Sequence, residues 1–244
     1  MCYNIAAGYG DIDAIAQVIS DQKPDIVALQ EVDVNWGERS AWEDQARYLA
    51  YKLNMHYFFG EIYSYDTSET DTPPRRYGLA WLSREPFVYT VNHRISRLST
   101  QDTEPVLRLL PGFPEVAVEF NGQRIHFFNT HLDYRPDPHA RKTQISEMMA
   151  IMQPANTPVI LMGDLNARPG APELVPLFES LEDAWPVQED AGFTFPADAP
   201  DRRIDYILHS DHFTVKGIYV ADTQASDHRP VIADLVLRKD QNEK

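Results

Sequence analysis

The sequence predicts an α/β protein of two mixed β-sheets packed face to face, with helices on the outside. Three observations predict it. The first thirty-odd residues read as strand, helix and strand; the middle of the chain is rich in strands; one helix and further strands close it. A simple doubly wound sheet would instead alternate strands and helices throughout.

Cys2-Tyr3-Asn4-Ile5-Ala6 reads as the first strand, and the chain opens on it so abruptly that residues ahead of Met1, a removed leader among them, stay open. Ile12, Ile15, Ala16 and Ile19 then fall on one face at helical spacing. The helix stops near Lys23-Pro24, because proline lacks the amide that a further turn needs. Asp25-Ile26-Val27-Ala28-Leu29 is a nearly continuous apolar run, suited to a strand covered on both faces. Ala46, Leu49, Ala50 and Leu53 mark a second amphipathic helix, and the polar stretch from Ser64 to Arg76 reads as a long loop. Strands are expected at Leu79–Leu82, Phe87–His93 and Glu115–Phe120. Asn121-Gly122, set between two alternating runs, signals a hairpin that returns along Arg124–Asn129. A helix over about His139–Met152 leads into Val159–Met162, and Ile204–Leu208, Phe213–Val220 and Val231–Leu237 supply the last strands.

With no linker, repeat or composition break, one domain is expected over residues 1–238, followed by a polar tail at 239–244. The net charge of −15 disfavours a processive duplex-DNA enzyme, since phosphate-backbone binding is driven by counterion release to Lys and Arg. A local basic groove can still oppose that field, so nucleic acid is disfavoured rather than excluded. One cysteine, Cys2, allows no internal disulfide, and no apolar run reaches the roughly eighteen residues of a membrane span. A monomer is expected, and the compartment is not indicated.

Four segments carry chemistry. Gly163-Asp164-Leu165-Asn166 follows a buried apolar strand, whose end aims residues at the sheet edge where sites collect. Asp and Asn two apart in extended chain point the same way and can act jointly on one water, though an Asp/Asn turn is an equal reading. Ser226-Asp227-His228-Arg229-Pro230 pairs a metal-ligand type with an imidazole, a pair that in isolation is usually a surface turn. In Asn129-Thr130-His131-Leu132-Asp133, His131 can donate to a phosphoryl oxygen or simply pack. Glu31, in Gln30-Glu31-Val32-Asp33, suits a hard cation, its plain alternative being a solvated loop acid. Asn4 and Asp205 are polar residues amid strand apolars and need partners: a metal or carboxylate for the amide, a histidine for the acid. The chain has no Gly-x-Ser-x-Gly, no Walker loop and no Cys/His zinc spacing. A hydrolase using a metal and a water nucleophile is what remains.

Taken in order, Tyr3-Asn4-Ile5, Leu29-Gln30-Glu31-Val32-Asp33, Asn129-Thr130-His131-Leu132, Gly163-Asp164-Leu165-Asn166, Ile204-Asp205-Tyr206-Ile207 and Ser226-Asp227-His228-Arg229-Pro230-Val231 resemble the endonuclease/exonuclease/phosphatase superfamily, the deoxyribonuclease I-like fold. The resemblance spans nearly the whole chain. It implies a four-layer α/β/β/α sandwich and Mg²⁺- or Mn²⁺-dependent cleavage of phosphoesters. It also implies that Asn4 and Glu31 hold the metal, with Asp227 near it or near a second cation. Asp164 would then be the base or orienter of the attacking water, and Asn166 would fix that water or a phosphate oxygen. His228, steered by Asp205, would stabilise the transition state, and His131 would contact the scissile phosphate or help the leaving group. Leu79 stands where many relatives carry a polar residue that in some branches supports the first histidine, which leaves the partner of His131 unassigned.

The expected substrate is a small or lipid-derived phosphodiester, with DNA or RNA as the alternative. Arg39, in Glu38-Arg39-Ser40, and Arg76, at the end of the polar loop, are candidate clamps for a substrate phosphate; ordinary surface arginines are the commoner case. A reading from another class is a non-catalytic binding module that kept the fold. The retention of every reactive residue in all six motifs argues against it.

Overall fold

The computed structural model describes residues 1–66, 73–153, 157–185 and 191–238. The apolar runs and the amphipathic segments sort into two sheets and two helical layers. The first half supplies β1 (Cys2–Asn4), α1 (Ile12–Gln22), β2 (Ile26–Val34), α2 (Gln45–Leu53), β3 (His56–Tyr65) and β4 (Arg75–Ser83). The middle supplies β5 (Tyr89–Leu98), β6 (Leu107–Phe120), β7 (Gln123–His131), α3 (His139–Met152) and β8 (Val159–Asp164). The last part supplies α4 (Val175–Ser180), β9 (Glu182–Asp183), β10 (Asp205–His209), β11 (Phe213–Val220) and β12 (Val231–Leu237).

One sheet runs β11-β12-β1-β2-β4-β3 and the other β5-β6-β7-β8-β10-β9. Both are mixed, because β1 pairs parallel with β2 and β7 parallel with β8. Ile15, Ile19, Leu49 and Ala50 pack the first two helices on the outer face of the first sheet. Ile145, Met148 and Leu177 pack α3 and α4 on the outer face of the second. Trp81, Val116, Phe127 and Ile207 fill the space between the sheets. The order of layers is α/β/β/α, as the resemblance implies.

Local chemistry sets the ends. Asp11 and Asp44 cap α1 and α2 by accepting from the amides of Ala14 and Arg47, and Lys23 and Asn54 end them in the left-handed conformation. Asn121 and Gly122 take φ of 52° and 77°, as a two-residue hairpin turn requires. The loop expected from Ser64 to Arg76 is shorter, since β3 runs to Tyr65 and β4 begins at Arg75; residues 67–72 and the polar tail at 239–244 lie outside the described residues. No helix among the described residues is long and apolar enough to cross a membrane.

Candidate active site at the carboxyl ends of the central strands

Three adjacent strands of the second sheet bring three motifs to one point. Asp164 ends β8, and its ladder partners are His131 on β7 and Asp205 on β10. Gly163 permits the close approach, because a Cβ there would stand 2.1 Å from the Thr130 carbonyl oxygen. The first sheet supplies the facing wall. Asn4 ends β1, and Glu31 sits inside β2 rather than after it, at a bulge where Gln30 and Glu31 together face Leu79. Glu31 takes φ of 56° there, which turns its carboxylate out of the strand's regular alternation.

The two walls meet through hydrogen bonds. Asn4 Nδ2 donates to Glu31 Oε1 at 3.1 Å and to Asp164 Oδ2 at 3.2 Å, so the buried amide finds two carboxylates. Beneath it, Gln30 Nε2 donates to Asn129 Oδ1 at 2.7 Å, and Asn129 Nδ2 donates to the carbonyls of Leu29 and Ala80. Asp164 Oδ2 also lies 3.5 Å from His131 Nε2 and 3.8 Å from His228 Nε2. His228 Nδ1 bonds Asp205 Oδ2 at 2.9 Å, and the Phe195 ring packs against the imidazole at 4.6 Å between centroids. Ser226 ties this segment to β1 by donating to the Asn4 carbonyl at 2.8 Å. Its hydroxyl also bonds Asp227 at 3.3 Å.

Burial sets the electrostatics. Burial raises the carboxyl of Asp164, and Asp205 raises it further, while His131 and His228 pull it down; the net direction is up. Burial opposes the charge of His228, but Asp205, Asp164 and Asp227 outweigh that and raise it to about 10. Burial likewise raises the half-buried Asp227. His228 is therefore held as an imidazolium through neutral pH, its Nδ1 donating to Asp205 and its Nε2 carrying a second proton toward Asp164 at 3.8 Å. Asp164, Asp205 and His228 bring one ligand atom each within 4.8 Å of one another, a spacing compatible with a cation, and Asp205 Oδ1 is buried without a hydrogen-bond partner among the described residues.

Residues 1–228 match the model of the endonuclease/exonuclease/phosphatase family. The chain belongs to that family. Its members hydrolyse phosphoesters, as nucleases and as phosphatases. No curated protein sequence matches the chain. Among solved structures it is similar to an endonuclease/exonuclease/phosphatase from Beutenbergia cavernae DSM 12333, at TM-score 0.75 and 24% identity over 97% of this chain and 70% of that one. It is similar to the human nocturnin catalytic domain with bound sulfate, at TM-score 0.69 and 21% identity over 97% and 92%. It is also similar to a mannosyl-6-phosphatase of Bacteroides thetaiotaomicron VPI-5482, at TM-score 0.60 and 20% identity over 93% and 90%. At these identities the structures share the fold.

The fold brings Asn4, Glu31, His131, Asp164, Asp205, Asp227 and His228 together. Asn166 joins them differently from expectation. It takes φ of 49°, its amide N–H donates to Asp164 Oδ1 at 2.8 Å, and its side chain donates to the Leu132 carbonyl at 3.0 Å. The segment is thus a turn and part of the cluster at once, and Asn166 does not share an extended direction with Asp164. Arg39 is committed to the buried Asp33 through Nε and Nη2, at 2.8 and 2.7 Å, with its guanidinium near the rings of Trp36 and Tyr77. Arg76 is not brought to the cluster: alternation puts it on the face of β4 opposite Tyr77, 5.4 Å from the ring of Phe59. Leu79 packs against Ile62 and Tyr63 and, having no polar side-chain atom, offers His131 no hydrogen bond. Gln30, Asn129 and Ser226 are quoted in the motifs but carry no role from sequence, although each is polar within a buried segment. A small cavity of about 50 Å³ opens beside His131, between Tyr63, Tyr77, Arg97 and Thr100. A larger one, about 320 Å³, lies between the sheets at the opposite ends of the strands, lined by Met1, Ile26, Ile125 and Leu235, away from this chemistry.

Proposed function

We propose that the protein is a divalent-metal-dependent phosphodiesterase that uses an activated water on a small or lipid-derived phosphodiester. The observation that carries this reading is the convergence on Asp164 Oδ2 of one amide and two imidazoles, from Asn4, His131 and His228. A phosphoryl group entering between the histidines meets the His228 imidazolium on one side and the His131 ring on the other, with the Asp164 carboxylate beneath.

The donor set fits a hard cation such as Mg²⁺ or Mn²⁺: Glu31 and Asp227 offer carboxylate oxygens, the ligands such ions select. The Asn4 amide, whose Nδ2 faces Glu31 while its Oδ1 accepts from the Ala6 amide, would turn to offer its oxygen. His228 is the poorer ligand, because an imidazolium bonded to Asp205 offers no lone pair. We therefore assign the metal to Asn4, Glu31 and Asp227 rather than to the tighter group of Asp164, Asp205 and His228. When bound, the metal supplies Lewis-acid stabilisation of charge on the phosphoryl oxygens.

The remaining roles belong to side chains. Asp164, made more basic by burial, accepts a proton from the attacking water, and the amide of Asn166 fixes the carboxylate's other oxygen. His228 donates toward an equatorial phosphoryl oxygen, oriented by Asp205 through Nδ1. His131 donates from the opposite side, toward the phosphate or the leaving oxygen. Arg39 remains a candidate contact for an outlying substrate group, since half of its side chain is exposed. The net charge of −15 favours small substrates over long polyanions.

A substrate panel tests the proposal. Generic diesters, nucleotides, inositol phosphates, sphingomyelin, oligonucleotides and plasmid would each be assayed with Mg²⁺ or Mn²⁺, with and without EDTA. Turnover of a small diester that EDTA abolishes supports it. Turnover confined to nucleic acid would replace it with the nuclease reading, and no turnover of any ester would leave a binding module.

A further inference from the structure

The ladder between β6 and β7 stops at the pair Glu115 and Phe128. Continued in register for three more pairs, it would bring Gly112 opposite His131. In place of ladder hydrogen bonds, the guanidinium of Arg97 on β5 spans the gap. Its Nη1 donates to the His131 carbonyl at 2.9 Å and its Nη2 to the Gly112 carbonyl at 2.6 Å. Arg97 is only 6% exposed, and burial lowers it to about 10.

The same treatment extends along the chain after His131. Asn166 holds the Leu132 carbonyl, and Gln144 accepts from the Asp133 amide at 3.0 Å. Arg141 holds the carbonyls of Asp133 and Arg135 at 2.9 and 2.6 Å. Arg141 has a carboxylate partner, Glu173, at 2.7 Å, whereas the two hydrogen bonds of Arg97 go to backbone carbonyls. A buried guanidinium facing neutral carbonyls is costly for stability alone. A planar fork that spans two carbonyls does, however, fix their separation, which a lysine cannot do.

We infer that Arg97 is a positioning residue for His131: it sets the main chain from which the imidazole reaches Asp164, with Gln144 as its auxiliary. The inference rests on the catalytic reading of His131 given above.

A double-mutant cycle tests it, measuring turnover of bis-p-nitrophenyl phosphate with Mn²⁺ for Arg97→Lys, His131→Ala and the pair. Arg97→Lys is expected to lower kcat about tenfold or more with KM little changed, since small misplacements of a catalytic group are costly. In the His131→Ala background the same change should cost nothing further, because residues acting as one unit are not additive. Equal losses in both backgrounds, or no loss in either, would overturn the inference. If Arg97→Lys does not fold, Gln144→Ala enters the same cycle with the same expectation. A readout independent of turnover is the imidazole NMR signals of the folded variant: those of His131 should move and those of His228 should stay. Unmoved His131 signals would overturn the inference even if the enzyme acts on no diester, and a wild type inert to every ester would overturn only the functional reading.

Discussion

His131, at the end of β7, and His228, in the segment ahead of β12, approach the same atom: their Nε2 atoms stand 3.5 and 3.8 Å from Oδ2 of Asp164. The ladder partners of Asp164, His131 on one side and Asp205 on the other, dictate this, because the second histidine is delivered by its bond to Asp205. A shared carboxylate between two imidazoles forms a slot whose one side is acidic and whose other sides donate hydrogen bonds.

The bond between Asp205 and His228 should be visible in titration. In the metal-free protein, burial works against the imidazolium, and the carboxylates raise it from an ordinary 6.5 to about 10. Its NMR signals should therefore stay unchanged through neutral pH. Asp205→Asn removes the leading favourable cause and leaves burial, so His228 should lose its proton at lower pH than in the wild type. Turnover should fall about a hundredfold or more with it.

Gly163 is held to glycine by the approach of β8 to β7. In Gly163→Ala the new Cβ meets the Thr130 carbonyl oxygen at 2.1 Å, a backbone atom that cannot swing away. Overpacking of this kind costs about 1–3 kcal/mol. Calorimetry should show a lower Tm, and turnover should fall with it as the pairing of His131 with Asp164 is disturbed.

Glu115 makes stability depend on acid. Burial alone would raise its carboxyl, but His93 at 2.7 Å and His126 at 2.5 Å outweigh burial and hold it below its ordinary 4.5. A depressed carboxyl contributes stability that is present above 4.5 and lost as pH falls through the folded-state value. From about pH 5 downward the Tm of the wild type should therefore drop more steeply than that of Glu115→Gln.

Glu31→Gln should weaken Mg²⁺ or Mn²⁺ binding about tenfold or more by calorimetric titration, with the fold intact. The bulge that presents Glu31 depends on backbone pairing, which an amide leaves alone.

The sequence made the fold legible where burial repeats with a period. The helix expected over His139–Met152 has those ends in the structure, and the Asn121-Gly122 turn lies between the strands expected to flank it. It was illegible where the pattern is diluted. β3 forms the edge of its sheet with much of its surface partly exposed, so His56–Tyr65 carries little alternation. β6 begins at Leu107 and runs through Pro111 and Pro114, residues that ordinarily argue against a strand. The site was legible as six motifs because most reactive residues sit at or beside a strand end, Glu31 at its mid-strand bulge being the exception. Its supports were not. Gln30 and Asn129 meet across 99 residues, Arg97 belongs to no motif, and the left-handed turn that redirects Asn166 was legible only as one of two equal readings of the Asp164/Asn166 pair.

In the proposed reaction Asp164 is the base at the meeting point of the site. The most direct measurement is kcat of Asp164→Asn on a generic diester with saturating Mn²⁺, beside a thermal melt. The amide keeps the shape of the buried side chain but cannot accept the proton from water. A fall of about a hundredfold or more with the melt nearly unchanged is the expected result. Turnover within a few fold of the wild type would contradict it.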